Sequence, residues 1–161
     1  LSEEFFTLGP DGSVLLARTI EHADAVVTHF QPPIPVLPAS AVPGVPLRFT
    51  FEMIVRPIDH PDRVKTRGPA DLELTLLGFD RVTTPAGTFD CAHLRSVIRA
   101  TLGSAKVTVT TDSWLSDTLG LVAEDARERV TVFGVPIRSA RRLWALESAA
   151  EADRPTLPAA R

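Results

Sequence analysis

The sequence predicts an all-β fold, a single large curved antiparallel sheet forming a half-open or incomplete barrel, with about nine strands and little helix. Three observations predict it. Apolar and polar residues alternate with a period of two in one segment after another, the period of a strand with one buried face and one wet face. Turns bearing glycine and proline separate those segments. One segment is apolar on one side and mixed on the other, which suits a sheet wrapped around a cavity or covered by another element.

Taken in order, "EEFFTLGPDGSVLLARTI" holds Gly9-Pro10-Asp11-Gly12 between two apolar runs. That tetrad supplies a fixed φ, an Asx-capable side chain and a position free to take φ > 0, so a hairpin is expected. "HADAVVTHF" reads as the next strand of the meander. "QPPIPVLPASAVPGVP", residues 31–46, carries six prolines, and a central strand cannot accept residues that lack an N–H. It is therefore expected to be an ordered crossover or rim loop, with Ile34, Val36, Leu37 and Val42 giving it something to bury.

"LRFTFEMIVR" is the clearest strand, with Leu47, Phe49, Phe51, Met53 and Val55 on one side and Arg48, Thr50, Glu52, Ile54 and Arg56 on the other. "ADLELTLLG" repeats the pattern through Leu72, Leu74 and Leu76, and Gly78 marks a bend or bulge. "FDCAHLRSVIRA" sets Ala92, Leu94, Ile98 and Ala100 in an apolar row. "SAKVTVTTDSWL" is rich in β-branched residues. "GLVAEDARERVTVFG" and "PIRSARRLWALE" form the last pair about the Gly134–Pro136 connection.

The chain has 161 residues, enough for one sizeable core, and the expected organisation is a single β domain over 1–147 with a flexible Ala- and Pro-rich tail over 148–161. A net charge of −3 offers no basic field for nucleic acid. No apolar run approaches the roughly 20 residues of a membrane-spanning helix. The first residue is Leu1, so the natural start and any signal peptide are expected upstream. The single cysteine, Cys91, is expected to be a small buried hydrophobe.

Within "RVTTPAGTFD", Pro85 presets its own φ and pushes Thr84 into an extended conformation, while Gly87 takes φ > 0 without steric cost. The stretch is a corner between two strands. "GFDRVTTPAGTFDCAHLR", Trp114 and Gly120-Leu121-Val122 together resemble a bacterial family of mostly uncharacterised exported proteins. Their recurring pattern is close to "G-x-E-x-VTVPAGTF-x-x-x-x-V" followed by "W-x-x-x-x-x-GLV". The resemblance covers about residues 44–147, and this chain departs from the pattern at Asp80-Arg81 and at Thr84. Such proteins are similar to the LolA/LolB lipoprotein-carrier fold, a curved sheet with an apolar concave face. The resemblance implies an exported, periplasmic location and no catalytic residues.

Candidate chemistry is sparse. "IDHPDR" brings Asp59, His60 and Asp62 close together as weak metal-ligand candidates, and a polar hairpin loop punctuated by Pro57 and Pro61 explains them better. "EHAD", with Glu21, His22 and Asp24, reads as a solvated turn. His93, Asp112 and Ser113 allow a catalytic triad to be drawn on paper, but no GxSxG elbow, HExxH pair or P-loop is present. Arg95, Arg99, Arg127, Arg129, Arg141 and Arg142 are expected to pair across strands with acids such as Glu124 and Glu128, the sharper alternative being a site for an anionic head group.

The expected function is non-enzymatic binding. No cofactor, metal or nucleic acid is expected, and the partner is a lipid-like or other apolar small molecule. It would be held on a concave face lined by Phe49, Phe51, Met53, Leu72, Leu74, Leu76 and Trp114. The alternative is a structural or interaction module of the envelope whose interior is filled by its own side chains and whose edge strands meet a protein partner.

Overall fold

Residues 2–148 are described in the computed structural model, and their alternation of period two becomes nine strands. These are β1 (Ser2–Leu8), β2 (Val14–Glu21), β3 (Val26–Leu37), β4 (Leu47–Pro57), β5 (Thr66–Thr84), β6 (Gly87–Leu102), β7 (Ala105–Ser116), β8 (Gly120–Val132) and β9 (Val135–Ala145). Every strand pairs antiparallel with its neighbours in chain order, giving one sheet curled through 209° into a half-barrel, with no helix among the described residues.

Register explains why the sheet curls. Directly paired residues point to the same face. Phe49 pairs with Leu72, Leu72 with Ile98 and Ile98 with Val109, while Phe51 pairs with Ala70, Ala70 with Ala100 and Ala100 with Val107. These rows place the side chains of the central apolar cluster on one face, and with no second layer among the described residues that face is buried by rolling inward. Leu72, Leu74 and Leu94 are only 2–3% exposed, packed with Leu16, Phe30, Ile34, Phe51, Met53 and Leu76 in one cluster. Each such side chain contributes on the order of 1.5–3 kcal/mol.

The Pro-rich segment divides differently from the sequence reading. Residues 31–37 are the end of β3 rather than part of a loop, and only residues 38–46 connect to β4. The reason lies in the pairing. β3 meets β4 only as far as Gln31, so from Pro32 onward that side of the strand is a free edge and the missing proline N–H groups interrupt no ladder there. On the other side Leu15 and Leu16 still pair with Pro35 and Ile34. The remaining loop is pinned at both ends, where Ala39 donates to the hydroxyl of buried Ser13 (3.2 Å) and Gly44 donates to the Leu76 carbonyl (2.8 Å).

Two glycines shape β5. A Cβ on Gly68 would lie 1.8 Å from the Thr101 carbonyl oxygen, so only glycine lets β5 and β6 approach here. At Gly78 (φ +153°) the register shifts, and the hairpin beyond it bends towards the start of β8. Pro85 and Ala86 form its tip, as the PAGTF reading requires. Ala86 donates to the Leu146 carbonyl (3.2 Å), and Leu146 donates to the Val122 carbonyl (2.9 Å) over a fully buried Val122 side chain. Of the segment 148–161 read as a tail, all but Ser148 lies outside the described residues.

Candidate functional site

Six of the seven residues proposed for the concave face come together there: Phe51, Met53, Leu72, Leu74 and Leu76 in the buried cluster, with Phe49 packed against it. Trp114 does not join them. It pairs with His93, whereas the concave face is continued on β7 by Ser113, the partner of Leu94. Trp114 therefore stands on the convex side, one residue out of phase with the apolar row.

The interior has little room. Phe30 and Phe51 meet edge to face at a centroid distance of 5.8 Å, and every residue of the central cluster is less than a tenth exposed. One depression of the described surface is lined by convex Thr50, Asp71, Arg99 and Thr108 together with Phe51, Ala70, Ala100 and Val107 of the inward row, and another lies on the convex face around Thr108, Arg127, Arg129 and Arg141. The central cluster is packed by its own side chains.

Towards the mouth the concave face changes from apolar to charged. Arg138 and Arg142 of β9 pair with Val130 and Ala126 and so face inward. Arg138 reaches Asp24 (3.2 Å) and Glu128 (3.1 Å), and Arg142 reaches Glu21 (3.4 Å) and Glu124 (4.0 Å). Asp24 and Glu21 belong to the β2–β3 end of the sheet, so these pairs span the opening of the half-barrel. Burial raises the Glu124 carboxyl above its ordinary value, the like charge of Glu4 reinforces this, and Arg142 opposes it. The "EHAD" turn is thus one bank of an ionic seam, and His22 also bonds Glu3 at 2.6 Å.

On the convex side the hairpin beyond Gly78 builds a polar cluster that no motif announced. His93 places one ring nitrogen 2.9 Å from Asp80 and the other 3.1 Å from Asp112. Trp114 stacks on the His93 ring with centroids 4.5 Å apart and donates its Nε1–H to Asp80 at 3.1 Å. Arg95 donates twice to Asp112 (2.8 and 3.1 Å). Burial of Asp112 works to raise its carboxyl, but bonds from Arg95 and His93 outweigh it and hold the group below its ordinary value. Register was the missing signal, since only the Leu76/Gly78 shift brings His93, Trp114 and Asp80 onto one surface.

That cluster holds a histidine between two acids and presents no nucleophile beside them. Ser113 faces the concave side, so the triad drawn from sequence is not assembled. Cys91 is 2% exposed, and burial pushes its thiol up, with Asp90 and Asp80 adding to the shift, which fits a packing residue. Asp59, His60 and Asp62 lie in the β4–β5 turn, where His60 stands 3.7 Å from Asp59. Among the described residues no three acidic, histidine or cysteine side chains converge as metal ligands. The convex Arg95, Arg99, Arg127 and Arg141 take Asp112, Asp71 and Asp125 as partners, and among the described residues the one expected glutamate pair that forms is that of inward-facing Arg142 with Glu124.

Residues 74–129 match the DUF3108-like family, whose function is unknown. The matched stretch runs from the middle of β5 into β8 and includes the PAGTF corner, His93 and Trp114. No curated protein and no solved structure matches the chain.

Proposed function

We propose that the chain is a non-enzymatic structural or protein-interaction module of the bacterial cell envelope, with a self-filled interior and edge strands that meet a protein partner. One observation carries this reading. The apolar concave side chains are buried by one another, with Leu72 and Leu94 each 2% exposed and every member of the central cluster less than a tenth exposed. What the molecule leaves unsatisfied is at its edges. All of β9 is exposed, including Val135, Ile137 and Leu143, and its outer side pairs with no strand of the described residues. The envelope location rests on the resemblance to exported proteins.

A second reading is a carrier for a lipid-like ligand on Phe49, Phe51, Met53, Leu72, Leu74 and Leu76. The ionic seam favours it, because the pairs closing the mouth are half-exposed and such pairs contribute only about 0–1 kcal/mol each. A ligand would enter by parting that seam and the 38–46 rim. Native mass spectrometry of gently purified protein separates the readings. The module predicts the mass of the bare chain. A co-purified hydrophobic adduct of uniform mass that leaves on denaturation would overturn it in favour of the carrier.

A further inference from the structure

The convex face places like charges where a sheet ordinarily avoids them. Arg127 of β8 and Arg141 of β9 are direct cross-strand partners, an arrangement that is destabilising unless a counter-charge intervenes. Asp125 intervenes, accepting from Arg141 (2.9 and 3.0 Å) and from one nitrogen of Arg127 (2.7 Å). The next row holds an arginine with no carboxylate beside it. Arg129 pairs with Thr108 on one side and Ser139 on the other, and Thr108 in turn pairs with Arg99, whose own acid is Asp71 (3.4 Å). Arg129 is exposed and has no carboxylate partner among the described residues.

These side chains surround an open depression of about 580 Å³, lined by Thr108, Thr110, Arg127, Arg129, Ser139 and Arg141. Its floor is made of hydroxyl-bearing residues and its walls of guanidinium groups. Glu128 touches the depression, but its carboxylate is engaged by Arg138 on the opposite face. Arg129 keeps its whole fork of donors, and Arg127 keeps those not given to Asp125. Planar forks beside hydroxyl donors match the geometry of a tetrahedral oxyanion.

We propose that this depression is a binding site for a phosphate-type oxyanion, with Arg129 as its principal ligand, Arg127 and Arg141 beside it, and Thr108 and Thr110 beneath. The anion supplies the counter-charge that Arg129 lacks among the described residues. The site is separate from the apolar interior and independent of what that interior does. The phosphate group is free or carried on a lipid head group, and the chemistry recognised is the same.

The test is a titration of ¹⁵N-labelled protein with inorganic phosphate at constant ionic strength, following the arginine side-chain N–H resonances. Saturable shifts at Arg129, Arg127 and Arg141 are expected. Arg129→Ala should weaken the binding about tenfold, the loss that removing one charge-assisted set of bonds implies. Lys65→Ala removes the same charge far from the depression and should titrate like the parent. Thr108→Val provides a second, conservative weakening. Shifts that do not saturate, that acetate reproduces at equal concentration, or that survive unchanged in Arg129→Ala would overturn the site. Flotation with phosphatidylcholine vesicles, with and without phosphatidic acid, identifies the source. Arg129-dependent flotation on phosphatidic acid means a head group, and phosphate binding without flotation means the free anion.

Discussion

Arg142 on β9 stands 3.4 Å from Glu21 at the end of β2, although 121 positions separate them in the chain. With Arg138 and Asp24 beside them, they tie the last strand of the sheet to the other bank of its mouth. Charge pairs therefore bridge the mouth of the half-barrel between β9 and the β2–β3 end, while apolar packing fills its centre. Because the paired side chains are one-third to one-half exposed, solvent screens them strongly.

Removing both arginines should separate closure from stability. The double variant Arg138→Ala, Arg142→Ala is expected to lose no more than about 1 kcal/mol per pair, with β9 amides exchanging faster and the central strands unchanged. Urea denaturation and amide exchange check this. A loss of cooperativity in the whole sheet would mean that the seam is structural.

Stability should depend on pH through two acids of opposite sign. Bonds from Arg141 and then Arg127 hold the Asp125 carboxyl at about 2, against an ordinary 3.8. The folded state binds this proton less tightly than the unfolded chain, so the stabilisation is full above 3.8 and is lost as pH falls through about 2. Asp125→Asn should flatten the acid limb in that window and also leave Arg127 facing Arg141 unneutralised at neutral pH. Glu124, raised by burial, acts in the other direction, its contribution being full below the ordinary 4.5 and lost as pH rises through its folded value. Glu124→Gln should therefore be at least as stable as the parent at neutral pH. Urea midpoints measured across pH for the three proteins decide both points.

Gly68→Ala should be among the most damaging single-atom changes in the sheet. The added Cβ meets the Thr101 backbone oxygen, which cannot rotate away as a side chain could. Overpacking of this kind costs about 1–3 kcal/mol or more. A thermal midpoint equal to the parent's would show that β5 and β6 can part without penalty.

Leu72 and Trp114, both read as concave from sequence, should behave differently. Leu72→Ala opens a void in a side chain's place where exposure is 2% and should cost about 2–5 kcal/mol. Trp114→Ala removes a convex stacking partner of His93 and a bond to Asp80, so its effect should fall on the hairpin beyond Gly78 and leave the apolar cluster intact. Methyl resonances of Leu72 and Leu94 report the difference.

The strands were legible because alternation is a local property. Leu47 to Val55 and Leu72 to Leu76 declare both their conformation and their buried side within a few residues. What was not legible depended on pairing. The prolines of 31–37 are tolerated in β3 only because β4 leaves that edge free, which no local pattern records. Trp114 is expected inside from the sequence, and the register opposite His93 puts it outside. The ionic seam and the Asp80–His93–Asp112 cluster join residues distant in sequence, so "EHAD" reads locally as a solvated turn and Asp80 as one more strand residue, and only curling and the Gly78 shift bring their partners near.

The central claim is that the concave interior is already full. Titration of the purified chain with a fluorescent long-chain fatty-acid analogue tests it most directly, with the Arg138→Ala, Arg142→Ala variant alongside. No saturable uptake by the parent is the predicted result. Saturable one-to-one binding by the parent, competed by unlabelled fatty acid and weakened by Leu74→Glu, would contradict the account and make the half-barrel a carrier.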